Sequence, residues 1–460
     1  MKKALFILPL FLGGILFSQR KPVTKPKVDY AAEFRKISDE IMLNSNAYDN
    51  LHELVKGIGP RFAATPAYDR AVDWAVKKFA DNGGENIRKQ EVTVPVWERG
   101  RENLQIKAAN GTWKNIRTLA LGGSEGTGGK DLTGELIFAK DLVEFNKMFP
   151  SDVKDKIVFF NYAFDQTIIN PSEAYLIAGK YRWSTPSLAS RKGAKAVITR
   201  SPTSAFDDVP HTGSMYYDVL DKNKIPALSI GAKSGDELEQ LVKNQKVTVK
   251  INTTSGTKGE KINHNVIAEI PGNRDKSVIV VGAHLDSWDI SEGAHDNGAG
   301  VVQILEVLRV FKKLEIKNNH TIRFVLFANE ENGVHGGETY AANVKKSGER
   351  HIFAIESDAG GYSPRGISLD MVPQRRRLVF AWKNLFLPYG VYDFTQETSG
   401  QDIAPLKKLA IPLAELVPDM QRYFDIHHTS QDTFEKVNRR ELNLGAVAIA
   451  QMVYMVDKNW

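Results

Sequence analysis

Ser277-Val278-Ile279-Val280-Val281-Gly282-Ala283-His284-Leu285-Asp286-Ser287, followed a few residues later by Ala294-His295-Asp296-Asn297-Gly298-Ala299-Gly300, is the stretch on which the reading of this chain turns. A continuous β-branched run bounded by polar residues reads as a strand buried on both faces. The apolar pattern then changes to helical spacing over residues 299–313, so a helix is expected after the loop. The alternation goes on with a strand at 321–328, a helix at 337–344 and a strand at 352–357. From Asn265 onward it predicts an α/β fold, a mostly parallel sheet flanked by helices. Residues 378–386, 404–409 and 442–456 read as further helices. Sheets of this kind gather ligands beyond the carboxyl ends of their strands, where His284, Glu330, Glu331 and Asp358 all fall.

Upstream, Thr65-Pro66 reads as an N-cap followed by proline at the first helical position, and Tyr68, Val72, Ala75, Val76 and Phe79 give one apolar face. Gly83-Gly84 stops that helix, and a strand pair is expected around 88–97 and 104–107. Two glycine-rich joints, 121–129 and 253–259, bracket a stretch with few candidate ligands and short strands at 134–138, 156–161, 196–199 and 227–230. This predicts an inserted β-rich unit at 118–258, with the remaining core domain divided into 30–117 and 259–460. The first joint lacks the Lys-Ser or Lys-Thr ending of a phosphate loop.

The chain opens with Met1-Lys2-Lys3, an apolar middle and Ser18 before Gln19, the pattern of a removable signal peptide over residues 1–18. Residues 19–29 form a basic, proline-bearing lead-in. The expectation is therefore an exported protein, secreted or periplasmic, with no stable membrane insertion once the signal is cut. With no cysteine in 460 residues, disulfides and a cysteine-linked lipid are excluded. The formal charge of +6 includes Lys2 and Lys3, leaving +4 from Gln19 onward, well mixed in sign. No basic stripe interleaved with aromatics points to nucleic acid. Asn110 and Asn252 begin Asn-x-Thr sites.

A histidine at a strand end, alone, is more often a hydrogen-bonded core residue. Here His284 stands with Asp286, Asp296, the adjacent Glu330-Glu331, Asp358 and the pair His427-His428. Neutral imidazoles, several carboxylates and one carboxylate able to serve two ions suit a pair of divalent cations such as zinc. Asp286 is placed to accept the proton of the second His284 nitrogen, fixing its tautomer. Asp296 would otherwise be an ordinary N-cap; as a bridging ligand it accounts for the glycines around it. Consecutive Glu330 and Glu331 at a strand end point different ways, so Glu331 is expected to ligate and Glu330 to act as general base. Which of His427 and His428 ligates stays open on composition alone.

The His-x-Asp element, the loop aspartate twelve residues after His284, the Glu-Glu pair, the later aspartate and His-Thr-x-x-Asp-Thr resemble the co-catalytic zinc aminopeptidase and glutamate carboxypeptidase superfamily. Residues 282–289, with Leu-Asp-Ser-Trp-Asp, and 423–428, with paired histidines, are similar to its carboxypeptidase Q subgroup. The resemblance covers roughly residue 30 to the end, and the inserted segment is similar to a protease-associated domain. It implies two Zn²⁺ per chain, with His284 and Asp358 on one ion, Glu331 and His428 on the other, and Asp296 on both. His428 is preferred because it stands four residues before Asp432. His427 is expected to donate a hydrogen bond to the oxyanion. The implied activity is hydrolysis of short peptides, dipeptides foremost, by a hydroxide bridging the ions with Glu330 as base; a homodimer is implied by the resemblance alone. His295, Asn297 and the segment Asn332-Gly333-Val334 depart mildly from the subgroup, which bears on pocket shape only. The alternatives are a broader zinc aminopeptidase, a glutaminyl cyclase using one metal for acyl transfer, and a non-catalytic binding protein, which would have lost ligands.

Overall fold

The structure, a computed structural model, describes Met1, residues 28–108 and residues 111–460. Residues 2–27, which hold the expected signal segment and most of the lead-in, lie outside the described residues, as does Asn110.

Seven strands form the sheet that carries the candidate site. In spatial order they are Glu85–Glu98, Gly256–Ile270, Thr321–Phe327, Val278–His284, His351–Glu356, Leu413–Pro418 and Pro364–Asp370. The four central strands run parallel, and both sides are finished by antiparallel strands. The sheet is thus mixed rather than mostly parallel. The reason is that 256–270 returns beside 321–327 as one arm of a long antiparallel pairing with 85–98, a contact that local alternation does not encode.

Val278–His284 is buried along its whole length, as a strand covered on both faces must be. One cover is the helix Gly300–Lys313, itself buried along most of its length, with the C-terminal helix Arg439–Asn459 packed against it. The helix Pro66–Asp81 starts as expected, with the Thr65 hydroxyl accepting the Tyr68 N–H. Phe34, Leu51, Phe79, Val281, Leu305 and Phe324 share the core between these helices and the sheet. The stretch 404–409 is a 3-10 helix, and 378–386 breaks into Pro373–Phe380 and Lys383–Phe386.

Eight strands make the second sheet, in the order Trp113–Ile116, Glu102–Lys107, Thr248–Thr253, Leu132–Ala139, Ile157–Phe160, Ala196–Arg200, Ala227–Ile230 and Thr118–Ala120. Residues 102–107 therefore do not pair with 88–97; the two expected hairpin partners sit in different sheets. The second sheet also recruits 102–116, ahead of the expected border at 118. Four of its strands run parallel, with helices Pro171–Trp183, Thr185–Arg191 and Ala232–Asn244 among them. It is α/β in character rather than simply β-rich. The two glycine-rich joints meet where the chain passes between sheets: Gly126 N–H donates to the Ser255 carbonyl at 2.9 Å and Thr127 N–H to that of Thr253 at 3.1 Å.

Candidate metal centre

Parallel register assembles the site. His284 stands opposite Phe327 on one neighbour, and Gly282 opposite Glu356 on the other. The turn bearing Glu330 and Glu331 and the loop bearing Asp358 therefore leave the sheet at the level of the His284 imidazole. His284 is fully buried, with Nε2 3.0 Å from Asp358 Oδ1 and 3.2 Å from Asp296 Oδ1. Its Nδ1 lies 3.0 Å from the Asp286 carbonyl oxygen and 3.6 Å from the Asp286 carboxylate. The main-chain carbonyl, rather than the expected carboxylate, is thus the nearer partner. The Asp286 carboxylate instead accepts the main-chain N–H of Glu330 at 3.1 Å and of Glu331 at 3.3 Å.

Asp296 lies in a turn with non-helical backbone just ahead of the helix at 300. Its two oxygens face different groups: Oδ1 looks to His284, while Oδ2 is 3.3 Å from both His427 Nε2 and His428 Nε2. The Asp432 carboxylate holds this turn by accepting the N–H of His295 at 2.7 Å and of Asp296 at 3.0 Å. Glu331 is buried, with Oε2 3.2 Å from His428 Nε2. Both glutamates sit on a turn after Asn329, which has a φ of 63°. It is this turn, and not strand alternation, that separates them. His427 stacks on His428 with ring centroids 3.5 Å apart and meets Tyr175 edge-on.

Burial, with the charges of Asp358, Asp296 and Asp286, pushes Glu330 well above the usual carboxylate range. Burial and Asp296 do the same to Glu331. Burial would lower His284, but Asp358 and its other carboxylate partners outweigh it and hold the ring well above its ordinary value. Burial keeps His427 well below the ordinary value and His428 below it, so both rings are neutral near pH 7. Neutral imidazoles beside carboxylates, as at His427 and His428, are the donors a divalent cation takes, and His284 gives up its proton to an ion that binds it. Asp296 Oδ2 and Glu331 Oε1 are buried without a hydrogen-bond partner among the described residues, although the His427 and His428 Nε2 atoms stand 3.3 Å from the former. Such orphans are costly unless something else binds them. Donor atoms about 2.0–2.2 Å from a tetrahedral ion lie roughly 3.3–3.6 Å apart, close to the 3.0–3.3 Å separations seen here. The donor set therefore fits cations on both sides of Asp296.

Sequence reasoning did not find the groups that the second sheet brings to this place. Thr212 N–H donates to the His428 carbonyl at 3.0 Å, His211 Nδ1 lies 2.7 Å from the His427 carbonyl, and the Ser214 hydroxyl donates to the Glu331 carbonyl. Arg182, on the helix 171–183, is buried beside the Tyr175 hydroxyl at 2.7 Å and His428 Nδ1 at 3.4 Å. Among the described residues none of its side-chain contacts is a carboxylate, and its Nε has no partner. Gly213 makes room for it: with φ of 131°, a Cβ there would come within 2.4 Å of the guanidinium.

Residues 265–453 match the model of Peptidase family M28. The structure of the peptidase M28 precursor from Shewanella amazonensis is 30% identical, superposes with a TM-score of 0.88 and covers 93% of this chain and 96% of its own. The chain belongs to peptidase family M28. Carboxypeptidase Q of Xenopus laevis is 28% identical over 441 residues, 95% of this chain and 90% of that protein. The structure of BSAP, a zinc aminopeptidase from Bacillus subtilis, is 22% identical with a TM-score of 0.64, over 90% of this chain and 96% of that one; at that identity the likeness bears on the fold. No helix among the described residues of this M28 peptidase is long and apolar enough to cross a membrane.

Proposed function

We propose that this M28 peptidase is an exported dizinc exopeptidase that hydrolyses short peptides, with free dipeptides as preferred substrates. The observation that carries the reading is Asp296, whose two oxygens face separate donor groups, His284 with Asp358 and His428 with Glu331. In the proposal these five residues hold the two ions, which when bound activate water and polarise the scissile carbonyl. Glu330 takes the proton of the attacking water and returns it to the departing amine; its raised affinity for a proton suits the second half of that shuttle. His428 is preferred to His427 as ligand because it alone of the two is paired with Glu331. His427, neutral and on the same side, donates from Nε2 to the tetrahedral oxyanion.

The preference for dipeptides is supported by Arg182. Among the described residues the buried guanidinium bonds a phenol and a carbonyl and lies beside an imidazole but meets no anion, and a carboxylate is its best-matched ligand. A substrate carboxylate one residue beyond the scissile bond supplies it. A broader aminopeptidase would need no such anchor. The test compares a free dipeptide with its C-terminal amide. A charge-assisted hydrogen bond of roughly 1.5–3 kcal/mol gives the free acid a kcat/KM advantage of about ten- to a hundredfold, and Arg182→Met abolishes it. Equal rates on acid and amide in the wild type would remove the dipeptidase reading, and trimming of long peptides from the amino end would replace it.

A further inference from the structure

Gly59-Pro60-Arg61-Phe62 lies far in sequence from every residue of the site, yet the Arg61 side chain is fully buried beneath it. Its guanidinium makes three hydrogen bonds, all to main-chain carbonyls: Nε to Leu285 at 2.7 Å, Nη1 to Glu292 at 2.8 Å and Nη2 to Gly293 at 3.0 Å. Its own N–H donates to the Ser287 hydroxyl at 3.1 Å. Leu285 follows His284 directly, and Gly293 opens the turn that ends in Asp296. Gly293 sits at φ of 61°, where a Cβ would come within 2.3 Å of the Ser287 side chain. The two segments are therefore drawn together as closely as backbone allows, with the arginine fork as the tie between them.

We propose that Arg61 is the positioning residue that fixes the separation between His284 and Asp296, so that the donor set is in place before any ion arrives. The proposal rests on the dizinc reading. The planar fork matters because the three carbonyls in two segments are met by three separate nitrogens, whereas the three N–H groups of lysine radiate from one nitrogen and cannot span them. Its charge also matters. Burial pushes the guanidinium down to about 10, still charged near pH 7, and Asp286, Asp432, Glu331 and Asp296 favour that charge. A permanent cation under the site offsets part of the repulsion among carboxylates that share it.

The test is amide hydrogen exchange across 285–299 in the full chain, metal-free and with zinc, joined to zinc affinity by chelator competition. In the wild type these amides are already protected without metal, and zinc changes their exchange less than tenfold. In Arg61→Lys they exchange at least tenfold faster and zinc affinity falls about ten- to a hundredfold, while kcat falls with KM for a dipeptide unchanged. Millimolar guanidinium restores zinc affinity to Arg61→Ala. Free exchange in the metal-free wild type overturns the proposal, and so does wild-type zinc affinity in Arg61→Lys. Should the variants not fold, the wild-type comparison decides alone. A wild type that binds no zinc overturns the dizinc reading instead, and the metal-free exchange still judges Arg61.

Discussion

Asp286 accepts two consecutive main-chain N–H groups, those of Glu330 and Glu331, so one carboxylate orients both glutamates through their backbone. Asp286→Ala leaves two donors unmet beneath the site. Zinc affinity and kcat are expected to fall about ten- to a hundredfold, checked by chelator competition and dipeptide kinetics, while Asp286→Asn, which keeps one acceptor oxygen, loses less. The residues that face the site were legible in the sequence because ligand chemistry admits few residue types: His284, Asp296, Glu330, Glu331, Asp358 and the 427–428 pair all come together. Those that hold them were not. Arg61 bonds carbonyls that every residue possesses, and Arg182 arrives from the other sheet, so neither leaves a pattern in the order of side chains. Asp432 entered the reading only as a spacing marker, although its carboxylate carries the Asp296 turn.

At the scale of elements, the first described helix, Tyr30–Asn44, is joined to the helix 300–313 by Arg309, which donates to Glu40 at 2.7 Å and to Glu306 at 2.6 Å. Burial raises Glu40, but the bonds from Arg309 and Asn44 outweigh it and hold its carboxyl below the ordinary value. A depressed carboxyl stabilises the fold fully above its unfolded value of 4.5, and that share is lost as pH falls through the lower folded value. Glu40→Gln is therefore expected to cost about 1 kcal/mol at pH 7 and the difference from the wild type to shrink steadily as pH falls below 4.5, read from denaturant midpoints across pH. Element types were legible from periodicity, since apolar spacing is a local signal. Partners were not: 85–98 pairs with 256–270 across more than a hundred and fifty intervening residues, and no local pattern names that partner.

For the whole molecule, the second sheet completes the site, because 211–214 bonds the main chain of both the histidine pair and Glu331. Metal bound between loops that belong to so many segments stabilises all of them together. At zinc a hundredfold above its Kd the folded state gains about 2.7 kcal/mol; chelation is expected to remove this, lowering the melting temperature in calorimetry, and added zinc to restore it. A dizinc peptidase with Glu330 as its proton shuttle is tested by dipeptide turnover together with zinc content on the wild type and Glu330→Gln. The account predicts two zinc ions in each protein, activity in the wild type, and a kcat at least about a hundredfold lower in the variant. A variant that keeps both ions and full activity, or a wild type that holds both and cleaves nothing, would contradict it.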